Sequence, residues 1–82
     1  METAEVRERI LAILRRYLSE GTTTDGAHDG TSLLEDLKIN SARLVDIILD
    51  IEDAFRIEVT DEEADGVRTV GDAVAAVAAK LG

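Results

Sequence analysis

The sequence predicts an all-α protein: a small four-helix bundle with a long loop after the first helix and a short third helix. Apolar residues recur at helical spacing in three stretches. Thr60/Glu63 and Thr69/Asp72, each pair three residues apart, mark helix starts in the second half. The one alternating run, Arg56-Ile57-Glu58-Val59, is too short to seed a sheet and reads as a linker with Ile57 and Val59 turned inward.

The first helix is expected over residues 3–19, with Thr3 as its cap. Val6, Ile10, Ile13, Leu14 and Tyr17 share one face, with Leu11 and Leu18 beside them, which leaves Arg7, Arg9, Arg15 and Arg16 mostly solvated. Residues 21–30 (Gly-Thr-Thr-Thr-Asp-Gly-Ala-His-Asp-Gly) are loop by composition. Leu33, Leu34 and Leu37 are expected to tuck back onto the core. The second helix is expected over residues 41–55. At about 100° per residue, Leu44, Ile48, Ile51 and Phe55 fall on one line and Asp46, Asp50 and Asp53 almost opposite. Val45 and Ile47 widen the apolar side, whereas Leu49 and Ala42 project toward the acids. A third helix of one or two turns opens at Thr60 and stops at Gly66. The last runs to about Lys80, with Val70, Val74, Val77 and Leu81 in one stripe and five alanines favouring helix and close packing.

Eighty-two residues, 45% of them hydrophobic, suffice for one domain spanning 1–82, expected to be free-standing and monomeric. No cysteine is present, so disulfides and thiolate metal sites are excluded. No apolar run approaches the ~20 residues of a membrane span. The first residues lack the basic-then-apolar order of a signal peptide, so a cytoplasmic location is expected. Eighteen acids against nine bases give a net charge of −9, which repels a nucleic-acid backbone and suits basic protein surfaces.

Three kinds of site can be weighed. Asp61, Glu63, Asp65, Gly66 and Asp72 fall at positions 1, 3, 5, 6 and 12 of a calcium-loop pattern. Asp72 is too short for the bidentate twelfth ligand, Glu63 too long for the third, and Arg68 replaces the apolar eighth residue. The capping patterns already account for these acids. Paired-carboxylate catalysis needs environments that push two pKa values apart, and the acids here fall on solvent faces. Ser41 lacks the base and oxyanion site of a hydrolase nucleophile, since His28 sits among glycines and acids as an ordinary loop residue. Taken alone, Ser41 reads as a helix cap.

Its surroundings change that reading. Leu34-Glu35-Asp36-Leu37-Lys38-Ile39-Asn40-Ser41 is similar to the F-x-x-D-L-G-x-D-S-L signature of acyl carrier proteins. Residues 44–55 resemble that family's long acidic helix, and residues 57–64 and 69–73 its later segments. The resemblance implies a fold of acyl-carrier-protein type and a non-catalytic carrier. It implies that Ser41 bears a 4'-phosphopantetheine arm, donated from coenzyme A by a phosphopantetheinyl transferase, which holds acyl chains as thioesters. A phosphodiester at a helix start would meet free backbone N–H groups and a positive dipole end.

The resemblance also implies partners with basic docking patches, acyl-transferring or ketosynthase-type enzymes of fatty acid, polyketide or related lipid or peptide synthesis. Asp46, Glu52 and Asp53 carry over as docking residues. Asp50 and Leu49 join them from geometry, and Asn40, Ala42 and Arg43 lie where the transferase grips. Leu44, Val45, Ile48, Ile51 and Ala73 are expected to line an acyl-chain pocket. Lys38, Asn40 and Ala42 replace the family's usual glycine, aspartate and leucine, and Arg43 stands where an acid is common, which points to a specialised carrier. An unmodified carrier-like binding module and an acidic regulator of calcium-sensor type remain as alternatives.

Overall fold

The structure, a computed structural model, describes residues 1–81. Among them are four helices: α1 (Thr3–Arg15), α2 (Arg43–Phe55), α3 (Asp61–Asp65) and α4 (Val70–Leu81). The fold is all-α, with a long connection between α1 and α2 and a single-turn α3 that buries none of its residues. The core is built by Val6, Ile10, Leu11, Ile13 and Leu14 of α1, Ile47, Ile51 and Phe55 of α2, and Val70, Ala73, Val74 and Val77 of α4. Leu33, Leu37, Ile39 and Val67 close it from the connections. α1 buries the stripe its periodicity marks, because that stripe gains from leaving water. Of the expected stripes of α2 and α4, Leu44 and Ile48 are only partly buried and Leu81 is exposed.

Both ends of α1 differ from expectation. Thr3 is the first helical residue of α1 rather than its cap, and the N-cap Glu2 makes no side-chain capping bond. α1 stops at Arg15, not near residue 19. There the N–H groups of Arg16 and Tyr17 donate to the carbonyls of Ile13 and Leu14, tightening the chain into i→i+3 turns. The Tyr17 hydroxyl donates to the Asp50 carboxylate on α2, which ties the segment after α1 to that helix. The third and fourth helices begin as their caps predict. Thr60 and Glu63 form a reciprocal capping box. The Asp72 carboxylate accepts from the N–H groups of Arg68 and Thr69, and Thr69 Oγ1 accepts from Asp72 N–H. Glu63 also pairs with Lys80 at 2.9 Å, joining α3 to α4. The Thr60 backbone N–H, helped by the Lys80 ammonium, holds the Glu63 carboxyl below the ordinary carboxylate range. The calcium pattern is thereby absorbed: Asp61, Glu63 and Asp65 lie on a helix rather than wrapping a loop, and Glu63 and Asp72 serve as caps.

The long connection is tied down by a short antiparallel clasp. Leu33 N–H donates to Arg68 O, Val70 N–H to Thr31 O and Gly71 N–H to Asp29 O, all at 2.9–3.0 Å, with Ser32 opposite Thr69. Thr31 is buried there, its Oγ1 accepting from His28 N–H. Arg7 of α1 adds an ion pair to Asp29 at 2.9 Å. Gly71 permits this approach, because a Cβ at that position would lie 2.8 Å from both the Cβ and the carbonyl oxygen of Asp29.

Gly71→Ala therefore forces residue 29 away. Overpacking of this kind costs about 1–3 kcal/mol, against about 1 kcal/mol recovered from helix propensity. The expected net loss is about 1 kcal/mol, seen as a Tm several degrees lower by thermal melting. A Tm at or above wild type would mean that the clasp yields freely.

Candidate functional site

Ser41 stands in the turn that joins buried Ile39 to α2, with its side chain exposed. α2 begins at Arg43, two residues later than expected, after a turn in which Asn40 Oδ1 accepts from Ala42 N–H at 2.8 Å. Arg43 N–H donates to Asn40 O and Leu44 N–H to Ser41 O. Of the N–H groups expected to be free at this helix start, those of residues 42–44 are already engaged, which leaves fewer donors for a phosphodiester beside the positive end of the helix dipole. The Ser41 hydroxyl, by contrast, has no hydrogen-bond partner among the described residues. It is not a cap.

Ser41 lies on the rim of a groove of about 410 Å³ between α2 and the segment around α3. Leu44, Val45, Ile48 and Leu49 form its α2 wall, Val59, Ala64 and Val67 the opposite one, and Leu33 and Leu34 its end. Leu34 is 44% exposed and faces this groove, contrary to the expectation that it tucks into the core. Of the five expected pocket residues, Leu44, Val45 and Ile48 line the groove. Ile51 and Ala73 do not; each is 2% exposed inside the core, because they lie on the faces of α2 and α4 that pack into it. Val45 and Leu49 remain 65% and 56% exposed, an apolar surface with no cover from the chain itself.

The acidic side of α2 is divided. Asp46 and Asp53 are exposed, Asp46 within 3.6 Å of Arg43. Glu52 is half-buried and its carboxylate accepts from Val59 N–H at 2.8 Å, holding the linker against α2. Asp50 is half-buried and engaged by Tyr17. Two of the four expected docking acids therefore serve the fold, a division that helical-wheel geometry cannot reveal. The hydrogen bond to Asp50, with desolvation and the charges of Asp50 and Asp46, pushes the Tyr17 hydroxyl above its ordinary pKa.

Lys38 adopts φ +58°, in the left-handed region. This is the position where the signature carries glycine, and the conformation explains why glycine suits it. Val59, Ala64, Val67 and Arg68 were not expected at the site. They reach it through the turns around α3, which leave no periodic signal.

Known proteins agree with this arrangement. The sequence profile for the phosphopantetheine attachment site matches residues 8–77. The acyl carrier protein of Prochlorococcus marinus is 33% identical over 82 residues, covering 100% of both chains. That of Lactobacillus acidophilus is 40% identical over 58 residues, covering 71% of this chain and 72% of that one. The solved structure of an acyl carrier protein from Enterococcus faecalis superimposes with a TM-score of 0.81 at 28% identity, covering 98% of this chain and 99% of that one. The chain belongs to the acyl carrier protein family. It is a non-catalytic carrier with a phosphopantetheine attachment site, and among its described residues no helix is long and apolar enough to cross a membrane.

Two substitutions test the carrier's geometry. A left-handed residue other than glycine costs about 1–2 kcal/mol, while glycine loses about 0.5–1 kcal/mol in chain entropy. Lys38→Gly should therefore stabilise by about 0.5–1 kcal/mol, measured by urea titration, and a loss of stability would contradict the backbone assigned here. Tyr17→Phe tests the tie to Asp50. A raised folded pKa gives stability that is complete below the tyrosine's ordinary value near 10 and is lost as pH rises through the folded pKa. Wild type should thus lose more stability than Tyr17→Phe between about pH 9 and 12. Parallel curves would mean that the hydrogen bond contributes nothing.

Proposed function

We propose that Ser41 is the attachment residue and that the carrier presents acyl groups, held on its arm, to successive partner enzymes. One observation carries the assignment. The hydroxyl is exposed, has no hydrogen-bond partner, and stands where an apolar groove meets the positive end of α2. A cap would have its oxygen engaged, and a nucleophile would have a base beside it.

The residues suit the group. The chain has no thiol of its own, and the arm supplies one, on which acyl chains are carried as thioesters. Ser41 Oγ would hold the phosphodiester. The walls formed by Leu44, Val45, Ile48 and Val67 offer an acyl chain apolar surface and shield it from water. Asp46 and Asp53, with exposed Leu49 between them, offer a basic partner both charge and an apolar contact. Arg43 partly neutralises Asp46 at the end nearest Ser41. Together with Lys38, Asn40 and Ala42, it supports a transferase other than one that reads an acid there. A specialised lipid, polyketide or peptide route is our reading of the pathway, with residues 1–82 acting as one monomeric domain in the cytoplasm.

Incubation with coenzyme A and a broad-specificity phosphopantetheinyl transferase should add one arm, measured by intact mass. Ser41→Ala should remain unmodified. An unmodified wild type, or an arm on Ser41→Ala, would overturn the assignment.

A further inference from the structure

Among the described residues, the groove has one cationic side chain on its wall. Arg68 lines the same groove as Ser41, in the turn between α3 and α4. Its backbone is held on both sides: Arg68 O accepts from Leu33 N–H at 3.0 Å, and its N–H donates to Asp72 Oδ2 at 3.1 Å. The side chain is exposed, and its guanidinium makes no ion pair with any described carboxylate. The other two cations near Ser41 in sequence are differently placed. Arg43 lies within 3.6 Å of Asp46, and neither Arg43 nor Lys38 lines the groove. Asp61 and Asp65 on the α3 segment and Glu52 of α2 bring negative charge to the same groove.

We propose that Arg68 is a positioning residue for the anionic phosphodiester that joins the arm to Ser41, drawing it over the groove rim next to Leu34 and Val67. This inference rests on the assignment of the arm to Ser41. A phosphodiester carries one permanent negative charge, and a guanidinium is the side chain best fitted to two of its oxygens at once. With Glu52, Asp61 and Asp65 the other charged groups of the groove, Arg68 is the one lining side chain that attracts an anion. Because the backbone of residue 68 is pinned by the clasp, only the side chain needs to order on contact. The arm then leaves Ser41 already directed along the apolar walls, and an acyl chain enters the groove from a biased start. The contact is exposed, so it should be modest and should fade with salt.

The test compares apo and arm-bearing protein by nitrogen-edited NMR, after intact mass has established the loading of each sample. On loading, the Arg68 Nε–Hε signal of wild type should shift, as should the amides of Leu34 and Val67. Arg68→Gln, loaded to the same extent, should lose at least half of the Leu34 and Val67 shifts. Arg68→Lys should recover part of them, and 0.5 M salt should shrink the wild-type shifts. An Arg68 Nε–Hε signal unchanged by loading would overturn the inference while leaving the Ser41 assignment intact. Leu34 and Val67 shifts in loaded Arg68→Gln equal to those of wild type would do the same. A wild-type chain that takes up no arm would overturn the assignment and the inference together.

Discussion

The antiparallel clasp between residues 29–33 and 68–71 is the constraint on which the rest of the structure depends. A chain of this size has little core to spare, and its first two helices are separated by a connection of 27 residues that could otherwise wander. Three backbone hydrogen bonds and the buried Thr31 fix that connection to the start of α4. Leu33, Leu37 and Ile39 can then enter the core at set positions. The turn carrying Ser41 begins right after Ile39, so the place of the hydroxyl follows from hydrophobic burial on one side and the start of α2 on the other. The same clasp sets Leu34 and Arg68 at one end of the groove.

The site owes its character to polar groups that are already engaged elsewhere. Asn40 caps the turn, so Ser41 need not, and its oxygen stays free for chemistry supplied from outside the chain. Glu52 holds the linker to α2 and Asp50 holds Tyr17, so the acidic side of α2 combines fold-holding and solvent-facing carboxylates. Asp46 and Asp53 are left to face solvent, on either side of Leu49. An exposed hydroxyl, an apolar groove and a reduced acidic face together describe a surface that other proteins handle rather than a pocket that performs a reaction.

Much of this was legible in the sequence. The faces of α1, α2 and α4 follow from periodicity, since burying one stripe of a helix is the main gain available to it. The starts of α3 and α4 follow from capping patterns that are purely local, Thr60 with Glu63 and Thr69 with Asp72. What local rules missed involves partners distant along the chain. Tyr17 belongs by periodicity to α1 but leaves it to meet Asp50, 33 residues away. Leu34 is as apolar as Leu33 and lies beside it, yet one is buried and the other is exposed. Ile51 shares its apolar line with Leu44 and Ile48, and only the packing of the helices separates it, and Ala73, from the groove.

By itself the sequence determined that the chain is helical, that its second helix is amphipathic with an acidic side, and that Ser41 has no base to make it a nucleophile. These are consequences of spacing and residue type, which act within a few positions. Only the tertiary structure decided that the Ser41 hydroxyl is free rather than a cap and which of the acids face solvent. It also decided which apolar residues form a groove instead of a core, and that Arg68 stands at that groove with Ser41. Apart from the local bond of Asn40 that leaves Ser41 free, these depend on contacts between segments far apart in the chain, and burial, unlike periodicity, exists only once those segments have met.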